Sequence, residues 1–259
     1  MYLNTFSVCC VITLTLLTAC GSAQAPAAEH AGAAYELVLT EKPDAFDAFV
    51  KSFRAGYDAC VYSAQLAHLP IKPFPQLPAS LGTTRITYVI RGRDRVVRRE
   101  SLNSLDISKD TPDQQCEVDV DSNHGMNVDL VVGNTHTIVG TDENGHRTVN
   151  TEDVSDLRSM DSSSRAQSTA KYTESRTVNG VELRCLPAGK PPLDANDFQE
   201  LCVYAHEGVL VEPDGKAITL ASRVRPLPGT PYIMVVEPQS LRTLDHADAG
   251  PFNAATYSR

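Results

Sequence analysis

From Thr83 onward the chain alternates apolar and polar residues with a period of two, and this constrains its fold more than any other feature. Arg85-Ile86-Thr87-Tyr88-Val89-Ile90 runs into the turn Gly92-Arg93-Asp94 and returns as Val96-Val97-Arg98-Arg99-Glu100. Further short runs follow at 116–120, 126–132, 135–139 and 147–149. The links Asn123-His124-Gly125, Gly133-Asn134 and Asn144-Gly145 hold residues that tolerate positive φ. Links this tight leave no room for the crossovers that parallel strands need, so the pattern predicts an antiparallel meander. Strands are expected again at 176–186, 201–211, 217–224 and 232–236, with Glu212-Pro213-Asp214-Gly215-Lys216 as the clearest hairpin turn. Residues 151–172 break the pattern, with Val154, Leu157 and Met160 spaced for one short helix. The polar tail from Glu237 is expected to pack loosely.

Ahead of the strands, residues 43–60 read as a helix. Phe46, Phe49, Val50, Phe53 and Tyr57 recur at helical spacing and form one apolar stripe. Thr40 or Asp44 is placed to cap it, and Lys51 and Arg54 suit its C-terminal half. Such a stripe reads first as core. An apolar ligand face at Phe46, Phe49 and Phe53 is the sharper alternative. Prolines 70, 73, 75 and 78 then impose an extended connector.

The N-terminal residues speak to destination. Residues 6–19 are apolar or small, and the first charged side chain is Glu29. An apolar run of about fourteen residues falls short of the ~20 a spanning helix needs, and fits the core of a signal peptide. It ends in Leu17-Thr18-Ala19-Cys20, which resembles the lipobox of bacterial lipoproteins, although no Lys or Arg precedes the apolar run. The resemblance implies cleavage before Cys20 and lipid on that cysteine, a multi-chain anchor strong enough to hold a domain at a membrane. Gly21, rather than Asp, implies sorting to the outer membrane. The expected organisation is a signal peptide at 1–19, a lipidated tether of small and polar residues at 20–34, and a single periplasmic β-rich domain at 35–259.

Composition narrows the partners. A net charge of −9 repels nucleic acid and anionic headgroups, so neither is expected to bind the domain, and the absence of Trp weakens the case for a sugar-stacking platform. Of seven cysteines, Cys9 and Cys10 would leave with the signal and Cys20 would carry lipid. Cys60, Cys116, Cys185 and Cys202 remain, an even set that suggests two disulfides in an oxidising compartment. Of the three possible pairings, Cys60–Cys116 with Cys185–Cys202 is favoured because each joins neighbours along the chain. No C-x-x-C or H-x-x-H spacing supports a metal site, and no cofactor is expected.

The second half carries a further likeness. Val178-Asn179-Gly180-Val181-Glu182-Leu183-Arg184-Cys185, then Leu201-Cys202-Val203-Tyr204, Glu207-Gly208-Val209-Leu210 and the Asp214-Gly215 hairpin resemble envelope lipoproteins of the lipoprotein-carrier (LolA/LolB-like) type. The resemblance implies an α+β, β-rich fold: a curved antiparallel sheet, a half-open barrel, with an N-terminal amphipathic helix over its concave face. Cys185 and Cys202 depart from the carriers, and no binding residue is carried over.

Catalytic signatures are missing. There is no G-x-S-x-G, no H-E-x-x-H and no Gly-rich phosphate loop. Asp119-Val120-Asp121-Ser122-Asn123-His124-Gly125 approaches a calcium loop, but its twelfth position is Leu130 and the stretch reads as an ordinary turn. The basic group Arg91, Arg93, Arg95, Arg98 and Arg99 reads as a solvated hairpin tip, with Arg93 and Arg95 as candidates for contact with an acidic partner. The expectation is a non-enzymatic outer-membrane lipoprotein whose domain binds an envelope partner or an apolar (lipid) ligand. The alternative is an envelope hydrolase or inhibitor-type factor.

Overall fold

The computed structural model describes residues 34–107, 109–121, 125–141, 146–155, 171–187, 189, 198–206, 210–212, 216–244 and 250–257. The expected signal peptide, Cys20, nearly all of the tether and the short helix expected after Val154 lie outside these residues. Ala34, assigned above to the tether, is already buried as the first residue of a strand.

Two antiparallel meanders make one sheet. The first contains β1 (Ala34–Pro43), β2 (Thr84–Arg91), β3 (Asp94–Ser101), β6 (Met126–Val132), β7 (Thr135–Thr141) and β8 (Arg147–Asp153). The second contains β9 (Glu174–Val178), β10 (Val181–Cys185), β11 (Phe198–Tyr204), β12 (Thr219–Val224) and β13 (Met234–Leu244). Between β3 and β6, β4 (Ser104–Asp106) and β5 (Asp119–Asp121) form a separate two-stranded ribbon. The eleven-stranded order is β8-β7-β6-β3-β2-β1-β13-β12-β11-β10-β9, and the sheet is not closed. The seam is β1 against β13, in register from Ala34↔Leu244 to Pro43↔Met234 with a bulge at Val38/Leu39. The chain is therefore zipped along its first and last described strands.

The large antiparallel sheet and the one α-helix among the described residues bear out the β-rich α+β expectation. The tail expected to pack loosely is instead the outer half of β13, followed by 3-10 turns that bury Phe252. Residues 176–186 are two strands rather than one. Asn179 (φ 49°) and Gly180 (φ 79°) make a two-residue turn between them, the type I′ geometry that Asn-Gly favours and a continuous strand cannot adopt.

Alternation sorts side chains to two cores. On one face Leu37, Leu39, Ile86, Tyr88, Ile90 and Val97 from β1–β3 pack with Leu183, Cys202, Ile218 and Leu220 of the second meander. That contact requires the second meander to fold back over the first. On the other face Val89, Val96, Val128, Leu130 and Val139 are covered by Phe252, Ala254 and Tyr257 of the C-terminal segment.

The helix, α1 (Phe46–Leu66), follows a strand and runs past its expected end at 60. Of its buried residues, Tyr57, Cys60 and Ala64 face the connector and ribbon, clustering with Cys116, Val118, Phe74 and Leu105, while Phe49 packs against Phe53 and Tyr232. The Cys60–Cys116 disulfide and a Tyr57 hydroxyl donating to the Lys72 carbonyl at 2.7 Å fix this packing. The helix implied over a concave sheet face thus spends its apolar side on the proline-rich connector. Asp44 does not cap it. Its carboxylate accepts from the Ile233 amide at 3.0 Å and from Arg223 at 3.2 Å, and Ala45 is the cap residue. The helix start is fixed by a close approach: a Cβ on Gly82 (φ +72°) would lie 2.6 Å from Phe49 Cζ.

Candidate functional site

Where the folded-back meander meets the seam, the surface opens into a groove of about 460 Å³, within the range of small-ligand sites. Residues 239–243 of β13 form its floor and Tyr35 of β1 flanks it. The β9–β10 turn with Glu182, and Tyr204 and His206 at the end of β11, form the opposite wall. Two contacts hold that wall in place. Asn179 Nδ2 donates to the Pro238 carbonyl at 2.8 Å, and Arg176 pairs with Glu237 at 3.3 Å and with Glu200.

The lining is polar and aromatic. His206 Nε2 lies 3.3 Å from Glu182 Oε2 with both side chains well exposed, and its ring sits 5.0 Å from that of Tyr204. Burial, then the neighbouring Tyr35 and Glu182, raises the Tyr204 phenol above its ordinary range, so it remains a protonated donor at neutral pH. Arg242 Nε donates to Glu36 at 2.8 Å on the groove's edge. Together these groups offer donors, acceptors and two phenol rings. Ser240 lines the same groove, but among the described residues no hydrogen bond joins it to His206. This is an arrangement for holding a polar ligand.

The arginines expected to reach a partner lie elsewhere. Arg93 sits half-buried in the β2–β3 turn. Arg95 is only 15% exposed, held 3.2 Å from Asp129 and against Glu212 of the folded-back meander. Next to it His136 bridges Asp129 at 3.2 Å and Glu152 at 2.7 Å. Burial pulls the His136 pKa down, but the hydrogen bonds and charges of Glu152 and Asp129 outweigh it, and the net shift is upward. This cluster pins β3, β6, β7 and β8 together and ties them to the second meander.

Of the expected apolar ligand face, Phe49 is buried against Phe53 and Tyr232 with ring centroids 4.9 Å and 5.1 Å away, while Phe46 and Phe53 are half-buried. Both favoured disulfides, Cys60–Cys116 and Cys185–Cys202, are present. Asp110 and Glu200 each lie beside one of them, but sulfurs joined to each other are not thiolate ligands. Part of the calcium-like stretch, residues 122–124, lies outside the described residues.

Sequence reasoning missed Tyr35, Glu182, Tyr204, His206 and Arg242 as a group. They come from β1, β10, β11 and β13, and only the seam and the folding-back bring them together. The Asn179-Gly180 pair was the one local signal beside them. Compared with known proteins, the chain matches no family model, and no curated protein or solved structure is significantly similar to it.

Proposed function

We propose that this chain is an exported, lipid-anchored outer-membrane protein whose domain is a binding module facing the periplasm. The observation that carries the reading is that all four cysteines after Cys20 are used in two disulfides, an arrangement that persists in an oxidising compartment and not in the cytosol. The lipobox-like Leu17-Thr18-Ala19-Cys20 supplies the membrane attachment, and the folded-back strands serve as the half-open barrel of the carrier type. The ligand site is the groove between Tyr35 and Tyr204. Its hydroxyl, imidazole, carboxylate and guanidinium groups favour a polar envelope partner over a lipid, as does the commitment of Phe49 to Gly82 and Tyr232. Cross-linking in intact cells from a photoreactive residue at Gln239 should trap an envelope component. Tyr204→Ala and Arg242→Ala should each reduce that capture. No adduct, or adducts indifferent to both changes, would reject the groove as the site.

The hydrolase reading has one observation in its favour: Glu182, His206 and Ser240 share the groove. A serine-reactive fluorophosphonate separates the two. Labelling lost in Ser240→Ala would support the enzyme, and no labelling would leave the binding module.

A further inference from the structure

The sheet has two edges, and they are treated differently. At β9 the edge is tucked against the seam by Arg176 and Asn179. At β8 no described strand covers the edge, and all seven residues, Arg147-Thr148-Val149-Asn150-Thr151-Glu152-Asp153, are exposed. The strand has no Pro, and its charged residues, Arg147, Glu152 and Asp153, are of both signs, so they can pair across an edge as well as repel.

The hydrogen-bond phase of β8 follows from one bond. Val154 N donates to Asn134 O at 2.8 Å, continuing the β7–β8 register by one pair. Bonded and non-bonded pairs alternate along an antiparallel ladder. Thr148, Asn150 and Glu152 therefore bond inward to β7. Arg147, Val149, Thr151 and Asp153 turn their amides and carbonyls outward.

We propose that this edge pairs with β8 of a second copy of the chain, antiparallel, about a two-fold axis at Asn150. In this register Arg147 faces Asp153 of the other copy and Val149 faces Thr151, so every outward-turned residue meets an outward-turned residue. The side chains agree with the backbone. Arg147 opposes Asp153 twice, Thr148 opposes Glu152, Asn150 opposes Asn150, and no like charges face each other. Arg147 already donates to the Tyr257 carbonyl, and Asp153 accepts from the Ser155 amide. A guanidinium has five N–H donors and a carboxylate several acceptor sites, so neither is used up. The pairing is isologous and closes, giving a dimer and not a fibre.

Asn150 would meet its own counterpart at a non-hydrogen-bonded pair, where opposed side chains come closest. The chain already has a disulfide of this kind: Cys185 and Cys202 face each other across β10 and β11 with Cα atoms 4.0 Å apart. The test uses the full chain in mild detergent, with Asn150→Cys and Thr148→Cys as separate single variants under gentle oxidation. Asn150→Cys should give a disulfide-linked dimer and Thr148→Cys several-fold less, since that position faces Glu152. Sedimentation of the unsubstituted chain should give a dimer. Arg147→Asp should shift it to monomer, and adding Asp153→Arg should restore it. A monomer at all concentrations, as would result if another segment of the same chain covers the edge, overturns the proposal. Equal cross-linking at both positions overturns the register.

Discussion

The second meander and the wing made by β6, β7 and β8 share the same alternating sequence logic but end in opposite ways. The meander turns back, puts Leu183, Ile218 and Leu220 onto Leu37 and Leu39, and ties its outermost strand, β9, to the seam. The wing runs outward, keeps its apolar contacts to one face, and finishes in a strand exposed along its whole length. The difference lies in what each meets. Alternation specifies which side chains share a face, and only a second layer decides whether that face becomes core. The Cys185–Cys202 disulfide, one wall of the groove and the type I′ turn belong to the folded-back half. The wing has the Phe252 cover and the Arg95–Asp129–His136 cluster.

The comparison can be broken most severely at the disulfides. Cys60 and Cys116 are separated by 56 residues and Cys185 and Cys202 by 17. Chain-entropy reasoning puts the first link at about 4 kcal/mol and the second at about 3 kcal/mol. Replacing each pair with alanine should lower the urea midpoint in that order. Loss of Cys185–Cys202 should also speed amide exchange in β9–β11 while leaving β7 and β8 unchanged, and equal acceleration in both regions would refute the division.

Within the core, Leu220 is fully buried in the folded-back half. Leu220→Ala should cost about 3 kcal/mol, as buried leucine truncations do. Val149 on the wing's edge is 48% exposed, and Val149→Ala should stay within about 0.5 kcal/mol. Gly82→Ala falls between them at about 2 kcal/mol, because it combines positive φ with a clash on the Phe49 ring. Adding Phe49→Leu should recover part of that loss, leaving the φ penalty.

The smallest effect concerns pH and belongs to the wing. His136 has a folded-state pKa above its unfolded value of about 6.5. Protonation therefore favours the folded form. Its contribution is complete below that value and is lost as pH rises through the folded pKa. The difference in urea midpoint between the native chain and His136→Gln should shrink from pH 5.5 to pH 8.5. A difference that grows with pH would contradict the assignment.

How much could be read from the sequence follows the same division. β2 and β6 were legible because Arg85-Ile86-Thr87-Tyr88 and Asn127-Val128-Asp129-Leu130 alternate polar and apolar residues locally, even though β2 is buried on both faces from Ile86 to Ile90. β1 was not legible. In Leu37-Val38-Leu39 all three residues are buried, so the central seam strand loses its period, and residues 35–42 fall within the expected domain without a strand signal. β13 was cut short because its outer half lines the groove, where Gln239, Ser240 and Arg242 interrupt the apolar pattern. The disulfide pairing was legible from chain separation alone. The groove was not, since its walls meet only after β1 pairs with β13 and Asn179 bonds Pro238.

The central claim, that this is an exported domain held to a membrane at Cys20, is tested most directly by the intact mass of the membrane-extracted chain before and after reduction. The account predicts a chain beginning at Cys20, heavier by its acyl groups, that gains four hydrogens when its two disulfides are reduced. An unlipidated chain that retains residues 1–19, or one whose mass does not change on reduction, would contradict it.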